Sequence, residues 1–461
     1  MSNQVEKIKW HIQKIMPAIY DDSLSYYELL SKVLYKLNEV IDQSNEYFGQ
    51  NLEGIVSGLF DEMVSNGEFD DIINNTVFKD LNTRVNENAY NVVQIDSRVT
   101  ENTSNIEKLE MDYTSIYDSF KKVIVTPQQF GAKGDGVSDD TEAIQSAIDS
   151  TFTSSSSKNG SIVFFPSGTY LISKSLTLHG ALTIKGLGRG GSTILLAPNF
   201  NGEACFVRNE STPTYWITIQ DITLDGQSSL QSAIISGLKL HSVTECLIEN
   251  VNIRHFKGHG IHILSDKSGS IQPTIRNCII RGEQLNPVTG SCGILLDSGS
   301  YDGMVSGNDI GYYKNGYGIQ LNGHNGAFLS DNNMWQCGRG YNLTYSHRVR
   351  LSNCLSDYAQ EYGFYLIGCT EMQFSNCQSR WSSMKTPLVY DGFHSQSISD
   401  VVFFGCSVYG GDGTQSIAGG TGQTAKSMYF AGVGSNVKVY ATIWKNCGEP
   451  ASESSAGVTI I

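Results

Sequence analysis

Asp225, Arg254, Arg281, Tyr312, Gln336, Asp357, Arg380 and Tyr409 each stand four residues beyond the turn residue of a recurring strand–turn–strand unit. Carboxylates in such a stripe move protons, guanidiniums hold phosphate or carboxylate, and tyrosines meet sugar rings. Asp357, with Glu361 or Asp297, is the candidate catalytic set. A pair ~5–5.5 Å apart suits a retaining glycosidase and ~6.5–9.5 Å an inverting one. Trp381 joins the stripe as an aromatic surface for glycan. An ordinary solvated face would carry the same residue types with no function.

The units that must position this stripe are ITIQDITLDG, LIENVNIRHF, PTIRNCIIRG, MVSGNDIGYY, FLSDNNMWQC, VRLSNCLSDYA, MQFSNCQSRWS and VVFFGCSVYG. Each reads as a short strand, a turn residue and a second short strand. The turn residues are Asp221, Asn250, Asn277, Asn308, Asn332, Asn353, Asn376 and Gly405, at intervals of 29, 27, 31, 24, 21, 23 and 29. Positions one and three beyond the turn are mostly apolar or cysteine, so the fourth faces out. Between these units recur GHGIHIL, SCGILLD, GYGIQLN, RGYNLTY and EYGFYLI, each a glycine-aided turn into an apolar strand. Strands repeating in this way without helices predict a parallel β-helix, whose rungs bury one another's apolar faces. Eight rungs at ~4.8 Å make a prism about 38 Å long.

Two motifs that resemble chemical sites read better as structure. The loop GAKGDGVSDDT holds Asp135, Asp139 and Asp140 within six residues, but Asp139 is placed to cap the next helix, with Glu142 completing a capping box. That helix, Thr141 to Ser150, turns Ile144, Ala147 and Ile148 over the open end of the β-helix. His259, in a GHG triplet, is one variant of the repeated turn and lacks an aspartate pair or Arg-x-Lys partner. No metal site and no cofactor is expected.

Residues 1–76 read as short helices: Leu29, Leu30, Val33, Leu34, Leu37 and Ile41 keep helical spacing after Asp21, Asp22 and Ser23. Residues 77–120 form a heptad seam. Its a positions are Phe78, Val85, Val92, Val99, Ile106, Tyr113 and Phe120; its d positions are Leu81, Asn88, Ile95, Asn102, Leu109 and Ile116. A rod of about 65 Å follows at 1.5 Å per residue. Polar Asn88 and Asn102 at d set register, and the mixed β-branched and aromatic seam favours three strands. The β-helix occupies 121–410, and 411–461 supply a last rung and a C-terminal extension that closes the trimer.

The balance of 46 acidic against 32 basic side chains, a net charge of −14, argues against a broad nucleic-acid surface. No apolar run approaches a membrane span and no signal peptide is visible. Cys278, Cys354, Cys377, Cys406 and Cys447, of ten cysteines, share one register of the repeat, which suits small core fillers folded as thiols in a cytoplasm.

FGAKGDGVSDDTEAIQSAI (130–148), FPSGTYLIS (165–173) and IKGLGRGGSTIL (184–195) resemble the opening rungs of the pectate-lyase-like superfamily found in phage tailspikes and polysaccharide depolymerases. MPAIYDDSLSYYELLSKVLYKLNEVI resembles the virion-attachment end of appendage and tail-fibre proteins from short-tailed phages of Gram-positive hosts. The resemblance implies a homotrimeric virion appendage, made in the host cytoplasm and joined to tail or collar proteins by its N-terminal helices. It implies a host cell-wall glycan, such as teichoic acid or capsule, as ligand. The superfamily holds hydrolases, lyases and plain binders, so a depolymerase, a receptor-binding fibre without turnover and a structural spacer all remain open.

Overall fold

The computed structural model describes residues 76–152, 161–265, 270–386, 388–410, 424–432, 436–440, 442–449, 452–453 and 458–460. The expected attachment helices of 1–75 lie outside them. Helix α1 spans Thr76–Val123 without a break. Its heptad residues are uncovered in the single chain: Val85 is 50% exposed, Val92 62%, Ile95 54% and Leu109 66%.

Strands Ile124–Val125 through Val458–Ile460 wind into a mainly β, parallel β-helix, every strand pairing being parallel. Each rung has three faces. Face A carries strands such as His347–Ser352 and Thr370–Ser375 in a 14-stranded sheet. Face B carries three- to five-residue strands such as Leu355–Asp357, and face C strands such as Phe364–Ile367. Pairing continues beyond residue 410, with Val437–Tyr440 on face A and Met428–Ala431 on face C.

The interior is a set of ladders. On face C, Tyr341, Phe364 and Phe393 stack with centroids 4.6 and 4.4 Å apart and planes within 2°. Every cysteine is free and all but Cys447 are buried. The glycine that precedes each face C strand has a steric cause. A Cβ on Gly237, Gly260, Gly293, Gly318, Gly340 or Gly363 would stand 2.5 to 2.8 Å from the next rung's glycine carbonyl oxygen. At the corner between faces A and B the chain turns through a left-handed residue, and Asn250 Nδ2 donates to Asp221 Oδ1 of the rung before at 2.6 Å.

Two rungs correct the expected register. The left-handed residues are Gly307 (φ 64°) and Asp331 (φ 55°), not Asn308 and Asn332. Those asparagines point inward in the cysteine position, 1% exposed. Asn308 Nδ2 donates to Asn332 Oδ1 at 2.9 Å, and Asn332 Nδ2 to the Val305 carbonyl at 2.7 Å, so the buried amides are satisfied.

Helix α2, Thr141–Ser150, covers the first rungs with Ile144, Ala147 and Ile148 fully buried. The expected capping box does not form. Asp140 is the N-cap residue and makes no side-chain cap hydrogen bond. Its carboxylate accepts instead from Lys133 N at 2.7 Å and Gly134 N at 3.0 Å, while Asp139 accepts from Thr141 N and Ser173 Oγ. Glu142 pairs with Lys174 at 3.1 Å. Gly131 and Ala132 donate to backbone carbonyls, and the Asp140 carboxylate serves the Lys133 and Gly134 N–H groups instead of capping the helix.

Candidate functional site

Face B ends in an outward ladder of one residue per rung: Asp225, Arg254, Arg281, Gly311, Trp335, Asp357, Arg380 and Tyr409 pair in register. The structure therefore aligns the expected stripe except at the two slipped rungs. Tyr312 and Gln336 fall one residue later, in the left-handed turn that leaves face B, and Gly311 and Trp335 take their places. Trp381 occupies the same turn one residue past Arg380 (φ 50°).

Along the ladder the charges are coupled. Asp225 accepts from Arg254 Nε at 2.8 Å and stands 2.9 Å from His255 Nδ1. Burial pushes its carboxyl up, but the His255 and Gln227 hydrogen bonds and the Arg254 charge outweigh burial and leave it below the usual range. Arg281 pairs with Asp309 and lies over the Trp335 ring, 4.9 Å from its centroid, while Trp335 Nε1 donates to Asp309 Oδ1 at 3.0 Å. Asp357 differs. Burial raises its pKa, Arg380 at 3.8 Å opposes this only in part, and Oδ1 is buried without a hydrogen-bond partner.

The three nominated carboxylates do not converge. Asp357 closes a face B strand, and Glu361 lies in the turn beyond it. Asp297 follows the face C strand Cys292–Leu296, on the far edge of that face. In register it sits three rungs below the Asp357 rung, about 14 Å at ~4.8 Å per rung. It has its own surroundings: Oδ2 is 3.4 Å from His262 Nε2, and Oδ1 accepts from Asn322 Nδ2 at 2.8 Å. The His262 ring first, then the Ser298 N–H and Asn322, hold its carboxyl down to about 2 against the effect of burial. His259 lies beside His262 with ring centroids 5.1 Å apart, and burial lowers its pKa to about 4.

Glu361 belongs to a denser group that the sequence reading missed. Its carboxylate is 3.1 Å from Arg339 Nε and 3.9 Å from Lys385 Nζ. The Arg339 guanidinium lies 3.7 Å from the Tyr365 ring centroid and bonds Asn342 Oδ1 at 2.8 Å. Tyr365 stacks on His394 (5.3 Å, 9°), and His394 on Tyr429 (4.8 Å, 22°), one rung apart each time. Asp391 Oδ2 stands 2.8 Å from His394 Nδ1, which leaves Nε2 free to accept or deliver a proton. Tyr362 packs on His394 at 4.5 Å, and burial with the nearby Asp391 charge pushes its hydroxyl up to about 12, so it stays a proton donor. The long connection from Arg380 to Phe393 delivers Lys385, Tyr390 and Asp391 to this group. The signal was present in EYGFY and YDGFH, which share the glycine register of face C. Among the described residues no cluster of His, Cys, Asp and Glu is placed to hold a metal ion.

Comparison with known proteins agrees with this architecture. Residues 124–379 match the model of the family described as rhamnogalacturonase A/epimerase, pectate lyase-like, and residues 317–460 match a right-handed β-helix region. The preneck appendage protein of Bacillus phage PZA is 24% identical over 266 residues, 54% of this chain and 26% of that protein. Mannuronan C5-epimerase AlgE5 of Azotobacter vinelandii is 27% identical over 259 residues, 52% of this chain and 24% of that protein. The chain thus spans about a quarter of the length of these relatives. A tailspike of Acinetobacter phage vb_AbaP_AS12 superposes with a TM-score of 0.52 at 15% identity, over 73% of this chain and 62% of that one, a likeness of fold alone. With more than half its length matched, the chain belongs to the rhamnogalacturonase A/epimerase family of pectate-lyase-like, right-handed parallel β-helices.

Proposed function

We propose that this chain is a homotrimeric virion appendage that binds a host cell-surface glycan, such as wall teichoic acid or capsule, and cuts it during adsorption. The phage appendage relative supports the virion setting, and the epimerase relative supports a polysaccharide ligand. The heptad seam of α1 supports the trimer, and residues 1–76 would join it to tail or collar proteins. One observation carries the cutting: Asp357, half-buried and with its pKa raised by burial, lies one corner away from the Glu361–Arg339–Tyr362–Asp391–His394 group. In a hydrolytic cut Asp357 would protonate the leaving oxygen, and His394 Nε2 would take a proton from the water whose oxygen forms the new bond in place of the one broken. Arg254, Arg281, Arg380, Trp381 and Tyr409 would hold the polymer along the ladder. The second reading is a fibre that binds without turnover, favoured by the pairing of Glu361 with Arg339 and of Asp297 with His262.

Size-exclusion chromatography of purified wall teichoic acid and of capsular polysaccharide, with and without the protein, separates the two. A fall in polymer size is the expected result. Unchanged size with co-eluting protein would establish the binder. Asp357→Asn should then abolish cleavage by at least about 100-fold, the ordinary worth of a general acid, while sparing co-elution. Unchanged turnover would remove Asp357 from the mechanism.

A further inference from the structure

Face A is a continuous 14-stranded sheet. Its outward ladder runs Met304, Phe328, Arg350, Gln373, Val402 and Lys438 in register. Met304 is 51% exposed, Phe328 42% and nearby Phe404 55%. Beside it a second outward ladder is small: Ser306, Ser330, Ser352 and Ser375. On the other side of the Met304 ladder from these serines lies an open groove of about 580 Å3, lined by Met304, Phe328 and Val402 and edged by Arg350, Glu371 and Asp400. Contiguous exposed apolar surface with a charged edge marks a contact site.

We infer that this groove is the surface through which the β-helices of three copies of the chain pack on one another. The inference rests on the trimeric reading above and adds which face is buried. Two observations select a second copy as the occupant. The first is charge: Arg350 and Glu371 lie on adjacent rungs, yet neither side chain makes a hydrogen bond or ion pair with another described residue. A three-fold axis parallel to the stack keeps each residue at its own height, so Arg350 of one copy meets Glu371 of the next only ~4.8 Å higher, within an arginine's reach. The second is continuity. Tyr113–Ile461 forms one compact unit, and in it α1 ends at Val123 and the next residues, Ile124–Val125, are the first strand of face A. Copies joined through the helix end Tyr113–Val123 would bring that strand of each copy close to the others. The serine ladder lets a neighbouring backbone approach closely.

Methionine oxidation of the full-length protein by hydrogen peroxide, read by peptide mass spectrometry beside light scattering, tests this. Met304 and Met111 have similar exposure in the single chain, 51% and 66%, and Met111 occupies an outer heptad position. In a protein of trimer mass, Met304 should oxidise about ten-fold more slowly than Met111, since oxidation follows access. Arg350→Glu should bring the two rates together, and adding Glu371→Arg should separate them again. Trimer mass with Met304 as reactive as Met111 would overturn the assignment of face A and leave the trimer standing. Monomer mass would overturn the trimer itself.

Discussion

Helix α1 and the β-helix use apolar residues at regular spacing, and they finish in opposite states. In α1, every residue from 82 to 115 except Ile106 and Tyr113 is exposed in the single chain. In the β-helix, Ile253, Ile280, Ile310 and Met334 are completely buried on successive rungs. Among the described residues the heptad stripe is left largely uncovered, whereas each rung is covered by the next rung of the same polypeptide. The core of one region is covered by its own chain, and the proposed trimer would cover the stripe of the other. Four substitutions probe this difference.

The largest effect belongs to the seam. Ile106→Asp in the full chain should lower the particle mass about threefold, because a carboxylate at a buried a position is not tolerated. Light scattering reads the mass, and circular dichroism should keep the β signal and its cooperative melt. A β-helix that unfolded together with the seam would erase the distinction.

Within the β-helix a constraint repeated on successive rungs is the glycine ladder of face C. Gly363→Ala puts a Cβ 2.8 Å from the Gly392 carbonyl oxygen and against Ser379 Oγ. Overpacking of this kind costs about 1–3 kcal/mol, read as a lower urea midpoint. Gly190→Ala meets nothing within 4 Å and should leave the midpoint unchanged. Equal effects would mean that the rungs are not packed as tightly as their spacing implies.

The same contrast governs how much was legible beforehand. Heptads and rungs repeat, so the order of helix, β-helix and extension could be read from periodicity. Register within a rung was legible only where one residue could take the left-handed turn. In Gly307-Asn308 and Asp331-Asn332 both members suit it, and choosing the asparagine displaced Tyr312 and Gln336 by one position. Asp139-Asp140 posed the same ambiguity at the start of α2. The Tyr362–Asp391–His394 group was hidden for another reason. Its members come from two rungs and a long connection, and their proximity depends on stacking between rungs rather than on spacing along the chain. Asp297 and Asp357 show the converse: both are outward carboxylates of the repeat, and the topology sets them on different edges.

The smallest effect concerns Asp297, and it asks whether the surface of the β-helix is as self-sufficient as its core. The carboxyl is held down to about 2 by the His262 ring, the Ser298 N–H and the Asn322 amide, all from its own chain. A depressed folded-state pKa stabilises the fold above the ordinary carboxylate value, and that contribution disappears as pH falls from about 4 through about 2. The side chain is 30% exposed, so water screens the interaction and the gain is about 1 kcal/mol. Asp297→Asn should therefore lower the urea midpoint at pH 6 and match the native chain at pH 2. A deficit that persisted unchanged at pH 2 would assign the effect to lost hydrogen bonds rather than charge. If no deficit appeared at either pH, His262 and Asn322 would gain nothing from the carboxylate in the folded chain.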